Sequence, residues 1–192
     1  MTRTAPSRRP TAEPMVLHIA LKHIKPVVWR RVIVPANITL NRLHRVIQAA
    51  MGWEDLHLHE FEIAGTRYGL PDPYGWDLSI HPEARRSLLK TLSGQHRFRY
   101  LYDFGDDWNH DIRVEPVPAG LADASLPCCL EGAQACPPED VGGQPGYEAF
   151  LEAMADPAHP EHDTMLAWYG TPFDPAAFDL ASINRRLAKI KV

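Results

Sequence analysis

No stretch of this sequence approaches the eighteen or so consecutive apolar residues that a membrane-crossing helix needs. The N-terminus likewise lacks the apolar core of a secretion signal. Cysteine is scarce: Cys128, Cys129 and Cys136 are three, an odd number for a disulfide framework, so reduced thiols and a cytoplasmic setting are expected. Positive charge is also short. Twenty Lys and Arg face 24 Asp and Glu, giving a formal charge of −4, which argues against binding along a phosphate backbone over a broad face. Also missing are a phosphate-binding glycine loop, a Gly-x-Ser-x-Gly elbow and a dinucleotide fingerprint.

What is present divides at about residue 15. Residues 1–14 are rich in Thr, Pro, Ser and Arg and hold almost nothing apolar, so they read as a disordered basic tail. Arg3, Arg8 and Arg9 give that tail a second reading, an arm touching nucleic acid. Residues 15–192 have the length and apolar content of one domain.

Within that domain Leu17, Ile19 and Leu21 alternate with polar neighbours, and Val27 to Val34 alternates between Pro26 and Pro35, so the two runs predict a hairpin. Thr39 stands where an N-cap belongs, Leu40, Leu43, Val46, Ile47, Ala50 and Met51 follow at helical spacing, and Gly52 suits a left-handed C-terminus. His57 to Ala64 alternates again. Residues 65–96 carry turn signals and predict short strands and a surface loop.

A second hairpin is predicted where Arg97–Phe104 meets 107–117 through Gly105-Asp106. After Pro118 an irregular Gly-, Pro- and Cys-rich loop runs to about residue 146. Helices are then expected from Tyr147 to Asp156, from Pro160 to Trp168, and after an Asp174-Pro175 cap. Strands first and helices last predict an α+β fold: a mostly antiparallel sheet packed with helices, the helices concentrated in the C-terminal third.

The most informative segment is Tyr102-Asp103-Phe104-Gly105-Asp106-Asp107-Trp108-Asn109-His110. Its tight acidic turn runs into a strand that puts Trp108, His110, Ile112 and Val114 on one face. Asp103, Asp106 and Asp107 suit a hairpin turn, whose positive φ angles Asp and Gly tolerate, and any acid left free would serve a partner. One of Arg30 and Arg31 is expected to pair with an acid of this turn.

Three histidines raise a different chemistry. His57 and His59 on one strand face would stand roughly 6.5–7 Å apart, and His110 on a neighbouring strand could complete a three-histidine metal site with an open position. The competing reading puts each ring at the edge of the core, bonded to a carboxylate or carbonyl. Cys129 and Cys136 are too widely spaced for a typical structural zinc pair, so free thiols are expected. Cys136-Pro137-Pro138-Glu139-Asp140-Val141-Gly142-Gly143 reads as a shaped surface loop, with Glu139 and Asp140 as its contact residues.

Several segments together resemble one family, the plasmid pRiA4b ORF-3-like proteins. They are Ile24-Lys25-Pro26-Val27-Val28-Trp29-Arg30-Arg31, Leu43-His44-Arg45-Val46-Ile47-Gln48-Ala49-Ala50-Met51-Gly52-Trp53, His57-Leu58-His59-Glu60-Phe61, the 102–110 turn and strand, the 136–143 loop, and Phe173-Asp174-Pro175. They run in order from about residue 16 to the C-terminus. The resemblance implies an α+β domain of unknown biochemical role, often carried on plasmids or mobile elements.

The leading expectation is a non-enzymatic binding or interaction module, accessory to plasmid or mobile-element biology, with a protein as its partner. Its candidate contact surface is Asp103, Asp106, Asp107, Trp108, Glu139 and Asp140. The alternative is a metal-dependent hydrolase on His57, His59 and His110, with a divalent metal as cofactor and Asp106 or Asp107 as base or ligand. A DNA-associated accessory protein acting through the tail is the third reading.

Overall fold

The computed structural model describes residues 13–71, 78–121 and 124–192. The N-terminal tail assignment therefore falls almost wholly outside the described residues, as does Trp76; the first strand already begins at Pro14. Eight strands form one sheet: β1 (Pro14–Leu21), β2 (Trp29–Pro35), β3 (His59–Ile63), β4 (Thr66–Gly69), β5 (Ile80–Pro82), β6 (Arg97–Tyr102), β7 (Trp108–Glu115) and β8 (Cys128–Ala133). Their order across the sheet is β5-β4-β3-β6-β7-β1-β2-β8. The helices are α1 (Leu40–Met51), α2 (Leu88–Leu92), α3 (Gly143–Ala155), α4 (His162–Tyr169) and α5 (Leu180–Leu187).

The fold is α+β with most helices late in the chain, but the sheet is mixed and not the mostly antiparallel one expected. Strand β5 joins β4 in parallel, a pairing reached only through the 70–79 connection, where the sequence shows turn residues and no periodicity. Both predicted hairpins form: β1 pairs with β2 and β6 with β7, each antiparallel.

Alternation decides which face is wet. Leu17, Ile19 and Leu21 of β1, Val32 and Val34 of β2, Phe98, Tyr100 and Tyr102 of β6, and Trp108 and Ile112 of β7 share one core with Leu40, Leu43, Val46, Ile47 and Ala50 of α1. Tyr147 and Phe150 of α3 and Ile183 and Leu187 of α5 close it. The opposite face carries ion pairs between strands, among them Arg31 of β2 with Glu131 of the adjacent β8 and, across β1, with Glu115 of β7, each at 2.7 Å. Arg31 therefore does not reach the 103–107 turn.

Nor does Arg30. It is buried, and its guanidinium donates to the carbonyls of Ala50, Trp29, Ala133 and Gln134 at 2.8–3.0 Å. Arg186 of α5 donates to the Ala49 carbonyl at 2.8 Å. Helix α1 has no basic residue in its own last turn, so cations from β2 and α5 satisfy its terminal carbonyls and oppose the negative end of its dipole. Gly52, at φ 105°, ends the helix as the sequence predicts.

The last helix starts later than expected. The Asp174 carboxylate accepts from the Ala176 N–H in a local turn, and Asp179 is the true N-cap, accepting from Ser182 at 2.8 Å.

Candidate functional site

The acidic turn and the 136–143 loop meet at one mouth of the sheet. Asp103 follows β6 directly with φ 55°, and its Oδ1 accepts from the N–H groups of Gly105 and Asp106 at 2.9 and 3.3 Å. This is the Asx geometry that lets aspartate hold a left-handed turn. Asp106 Oδ2 accepts from the Gly142 N–H at 3.1 Å. A Cβ on Gly143, itself at φ 68°, would come within 2.6 Å of the Asp106 carbonyl. Only glycine lets the two backbones approach this closely.

Glu139 fixes the loop from the other side. Its carboxylate accepts from the Tyr102 hydroxyl at 3.0 Å and from the Glu54 N–H at 2.8 Å. The Tyr102 hydroxyl in turn accepts from the Leu56 N–H at 3.0 Å. Burial, reinforced by the Glu139 carboxylate, pushes the Tyr102 pKa well above the ordinary phenol value. Trp53 donates its indole N–H to the Pro137 carbonyl at 3.0 Å. Beside the loop lies a cleft of about 780 Å³ whose walls include Trp53, Glu139, Asp140, Trp168, Tyr169 and Arg186.

The sequence-predicted contact residues thus divide. Asp103, Asp106, Glu139 and Asp140 come together. Asp107 is exposed on the turn and accepts from the Asn109 side chain at 2.7 Å. Trp108 leaves the contact surface altogether: on the inward face of β7 it is buried, its ring 6.2 Å from that of Trp53.

The three predicted histidines do not share one point. Strand β3 begins at His59, because β6 ends at Tyr102, its partner in register, and Asp103 turns away. His57 therefore lies before the strand. Its Nε2 stands 2.9 Å from Asp140 Oδ1 and 3.5 Å from Asp103 Oδ2, without alignment for a hydrogen bond to either. His110 is fully buried, its Nδ1 at 3.3 Å from the Tyr100 carbonyl, and burial pushes its pKa down to about 4.

His59 belongs to a second cluster that the sequence reading missed. Its ring stacks on His44 with centroids 3.5 Å apart and planes within 4°, and its Nε2 meets buried Glu83 at 3.0 Å. His44 is held at both nitrogens, by Asp55 at Nε2 and by the Tyr100 hydroxyl at Nδ1, each at 2.7 Å. Burial, then the neighbouring His59, lowers the His44 pKa to about 4, so the ring is neutral. A carboxylate can only accept. His44 therefore donates from Nε2 to Asp55 and accepts from Tyr100 at Nδ1.

Gln48 closes the circuit. It donates to the Tyr100 hydroxyl at 3.1 Å and accepts from the Asp55 N–H at 2.9 Å. Although ligand atoms of His44, Asp55 and His59 lie within 4.8 Å of one another, parallel rings cannot aim both lone pairs at one ion. The cluster is a hydrogen-bonded brace. One signal pointed to it: His44 and Gln48 stand four residues apart on the apolar face of α1.

Cys128, Cys129 and Cys136 are free thiols. Burial raises the Cys129 pKa to about 11 and that of Cys136 to about 12, which keeps both protonated and poor nucleophiles. No helix among the described residues is long and apolar enough to cross a membrane.

Comparison with known proteins gives a consistent picture. The family of the plasmid pRiA4b ORF-3-like protein matches residues 13–182. The uncharacterized protein y4hQ of Sinorhizobium fredii (strain NBRC 101917 / NGR234) is 46% identical over 173 residues, covering 88% of each chain. The crystal structure of the protein of unknown function MM3350 from Methanosarcina mazei Go1 is similar with a TM-score of 0.76 and 37% identity, over 88% of this chain and 97% of that one.

Proposed function

The chain belongs to the plasmid pRiA4b ORF-3-like family, whose function is unknown, and from that premise we propose that it is a binding module that captures a basic protein segment at the mouth between the 103–107 turn and the 136–143 loop. One observation carries this reading: the two acidic segments are pinned to each other, yet none of Asp103, Asp106, Asp107, Glu139 and Asp140 makes an ion pair with a lysine or arginine among the described residues. A cluster of acids that no lysine or arginine side chain pairs with attracts a cationic partner and speeds its encounter.

Exposed apolar residues frame the charge. Leu56 and Leu58 flank His57, and Phe104 follows Asp103; all three are exposed. They supply apolar contact area beside the acids. The hydrolase alternative draws less support, since His57, His59 and His110 do not converge: His57 groups with Asp103 and Asp140, and His59 with His44 and Asp55. Three unbridged thiols suit a reducing compartment, so we place the chain in the cytoplasm. The family's name is what connects it to plasmid or mobile-element biology.

The test is the anisotropy of a fluorescent oligolysine peptide titrated with the full chain at low and high salt. The reading expects binding that weakens with salt and is several-fold weaker in a Glu54→Gln, Asp107→Asn double variant. A charge-matched Glu152→Gln, Glu161→Gln variant, changed at exposed positions in α3 and just before α4, should bind as the unchanged protein does. Equal affinity in both variants would reject the mouth as the contact surface.

A further inference from the structure

We propose that His57, Asp103 and Asp140 form a binding site for one divalent transition-metal ion, with Zn²⁺ as the representative ligand. The proposal does not depend on the partner reading above; it rests on the donor geometry.

The three side chains come from three separate segments, and one ligand atom of each lies within 4.8 Å of the other two. His57 Nε2 is 2.9 Å from Asp140 Oδ1 and 3.5 Å from Asp103 Oδ2. Nitrogen and oxygen donors about 2.1 Å from a common ion stand roughly 3.0–3.4 Å apart, depending on whether the shell is octahedral or tetrahedral. The observed separations bracket that interval.

A second observation points to a ligand as well. His57 Nε2 is shut off from solvent and has no hydrogen-bond partner, although a carboxylate oxygen lies at hydrogen-bonding distance. Nitrogen and oxygen are therefore near each other without being aimed at each other. Asp103 is more than nine-tenths buried. Its Oδ1 is committed to the turn backbone, while Oδ2, which accepts no hydrogen bond, faces His57 at 3.5 Å. A buried imidazole nitrogen without a partner costs free energy unless something satisfies it, and the one oxygen of Asp103 that the turn leaves free converges on it. A cation satisfies both.

Donor chemistry selects among cations. One imidazole with two carboxylates suits Zn²⁺ and its first-row neighbours. Mg²⁺ and Ca²⁺ favour oxygen shells and gain little from the ring. Two of the ligands are already held by backbone: Asp103 by its Asx turn, and Asp140 by a loop pinned through Gly142 and Glu139. Exposed Asp140 leaves the remaining coordination positions open to water or to a partner's side chain. The stacked His44–His59 pair offers no such convergence, because its rings are parallel.

The experiment is isothermal titration of Zn²⁺ into full-length, metal-free protein without a histidine tag, with Mg²⁺ as the comparison ion. The unchanged protein should bind one Zn²⁺ and should bind Mg²⁺ far more weakly. His57→Ala should weaken Zn²⁺ binding by more than about tenfold, since even outer partners of a metal ligand are worth that much. Asp140→Asn should do the same, and it lies on an exposed side chain that the fold does not need. His59→Gln should leave the affinity unchanged. The proposal is overturned by absence of Zn²⁺ binding, by equal affinity for Mg²⁺, by unchanged affinity in both site variants, or by loss in His59→Gln instead.

Discussion

The side-chain amide of Asn184 hydrogen-bonds both backbone groups of Cys129: its Oδ1 accepts from the Cys129 N–H at 2.7 Å and its Nδ2 donates to the Cys129 carbonyl at 3.0 Å. Cys129 lies in β8, at one end of the sheet order. A helix side chain thus takes the place a further strand would occupy, and it blunts an edge that would otherwise recruit another chain. Asn184→Leu should cost about 1–3 kcal/mol, as both backbone groups lose partners. It should also raise the dimer fraction at high protein concentration. Urea unfolding and analytical ultracentrifugation check the two effects.

Arg30 ties four carbonyls from three segments into one point. Arg30→Met fills a similar volume but leaves those acceptors without their donor, so it should lower stability by roughly 3 kcal/mol or more. Arg30→Lys should rescue little, because one ammonium cannot span the fork of the guanidinium. The denaturation midpoints of both variants decide this.

Protonation should weaken the fold in a defined window. His44 and His110 are held neutral with folded pKa values of about 4, against 6.5 for the free side chain. The unfolded chain therefore binds more protons than the native one between these limits. Stability is at its full value above pH 6.5 and falls as pH drops from 6.5 toward 4, by roughly 3 kcal/mol for each fully buried ring over the whole range. His110→Phe should flatten the descent by one proton's worth of slope. Chemical denaturation as a function of pH measures it.

Much of this architecture was legible because apolar periodicity is strong where elements bury one face. The β1–β2 and β6–β7 hairpins and α1 with its Gly52 terminus follow directly from alternation and helical spacing. The parallel β4–β5 pairing did not, since three residues of β5 hold too little pattern to declare a strand. Asp174 was mistaken for the α5 cap because Asp-Pro is a good local turn wherever it occurs, and only packing of Ile183 and Leu187 sets where the helix starts.

The site was half visible. The meeting of the acidic turn with the 136–143 loop follows from residues that need each other's geometry. The histidine geometry failed on one residue: two-residue periodicity carried the strand back to His57, whereas the partner strand ends opposite His59. His44, Asp55 and Glu83 form their network across 39 positions of sequence, which no local spacing announces.

Glycine at 143 should matter far more than glycine in an open turn. Gly143→Ala meets both a positive φ and the Asp106 carbonyl, whereas Gly94→Ala meets only a φ of 87° in open space. The Gly94 change should cost about 1 kcal/mol, and the Gly143 change at least about 2 kcal/mol more, by backbone displacement. Faster amide hydrogen exchange at Gly142 should accompany the latter, because its bond to Asp106 is lost.

The most direct measurement is residue-resolved: amide chemical shifts of the ¹⁵N-labelled full chain during titration with an oligolysine peptide. The account predicts shifts concentrated at residues 54–58, 103–107 and 139–143, all saturating together. Shifts centred instead on the ion-paired outer face of β1, β2 and β7, or scattered evenly over every exposed acid, would contradict it.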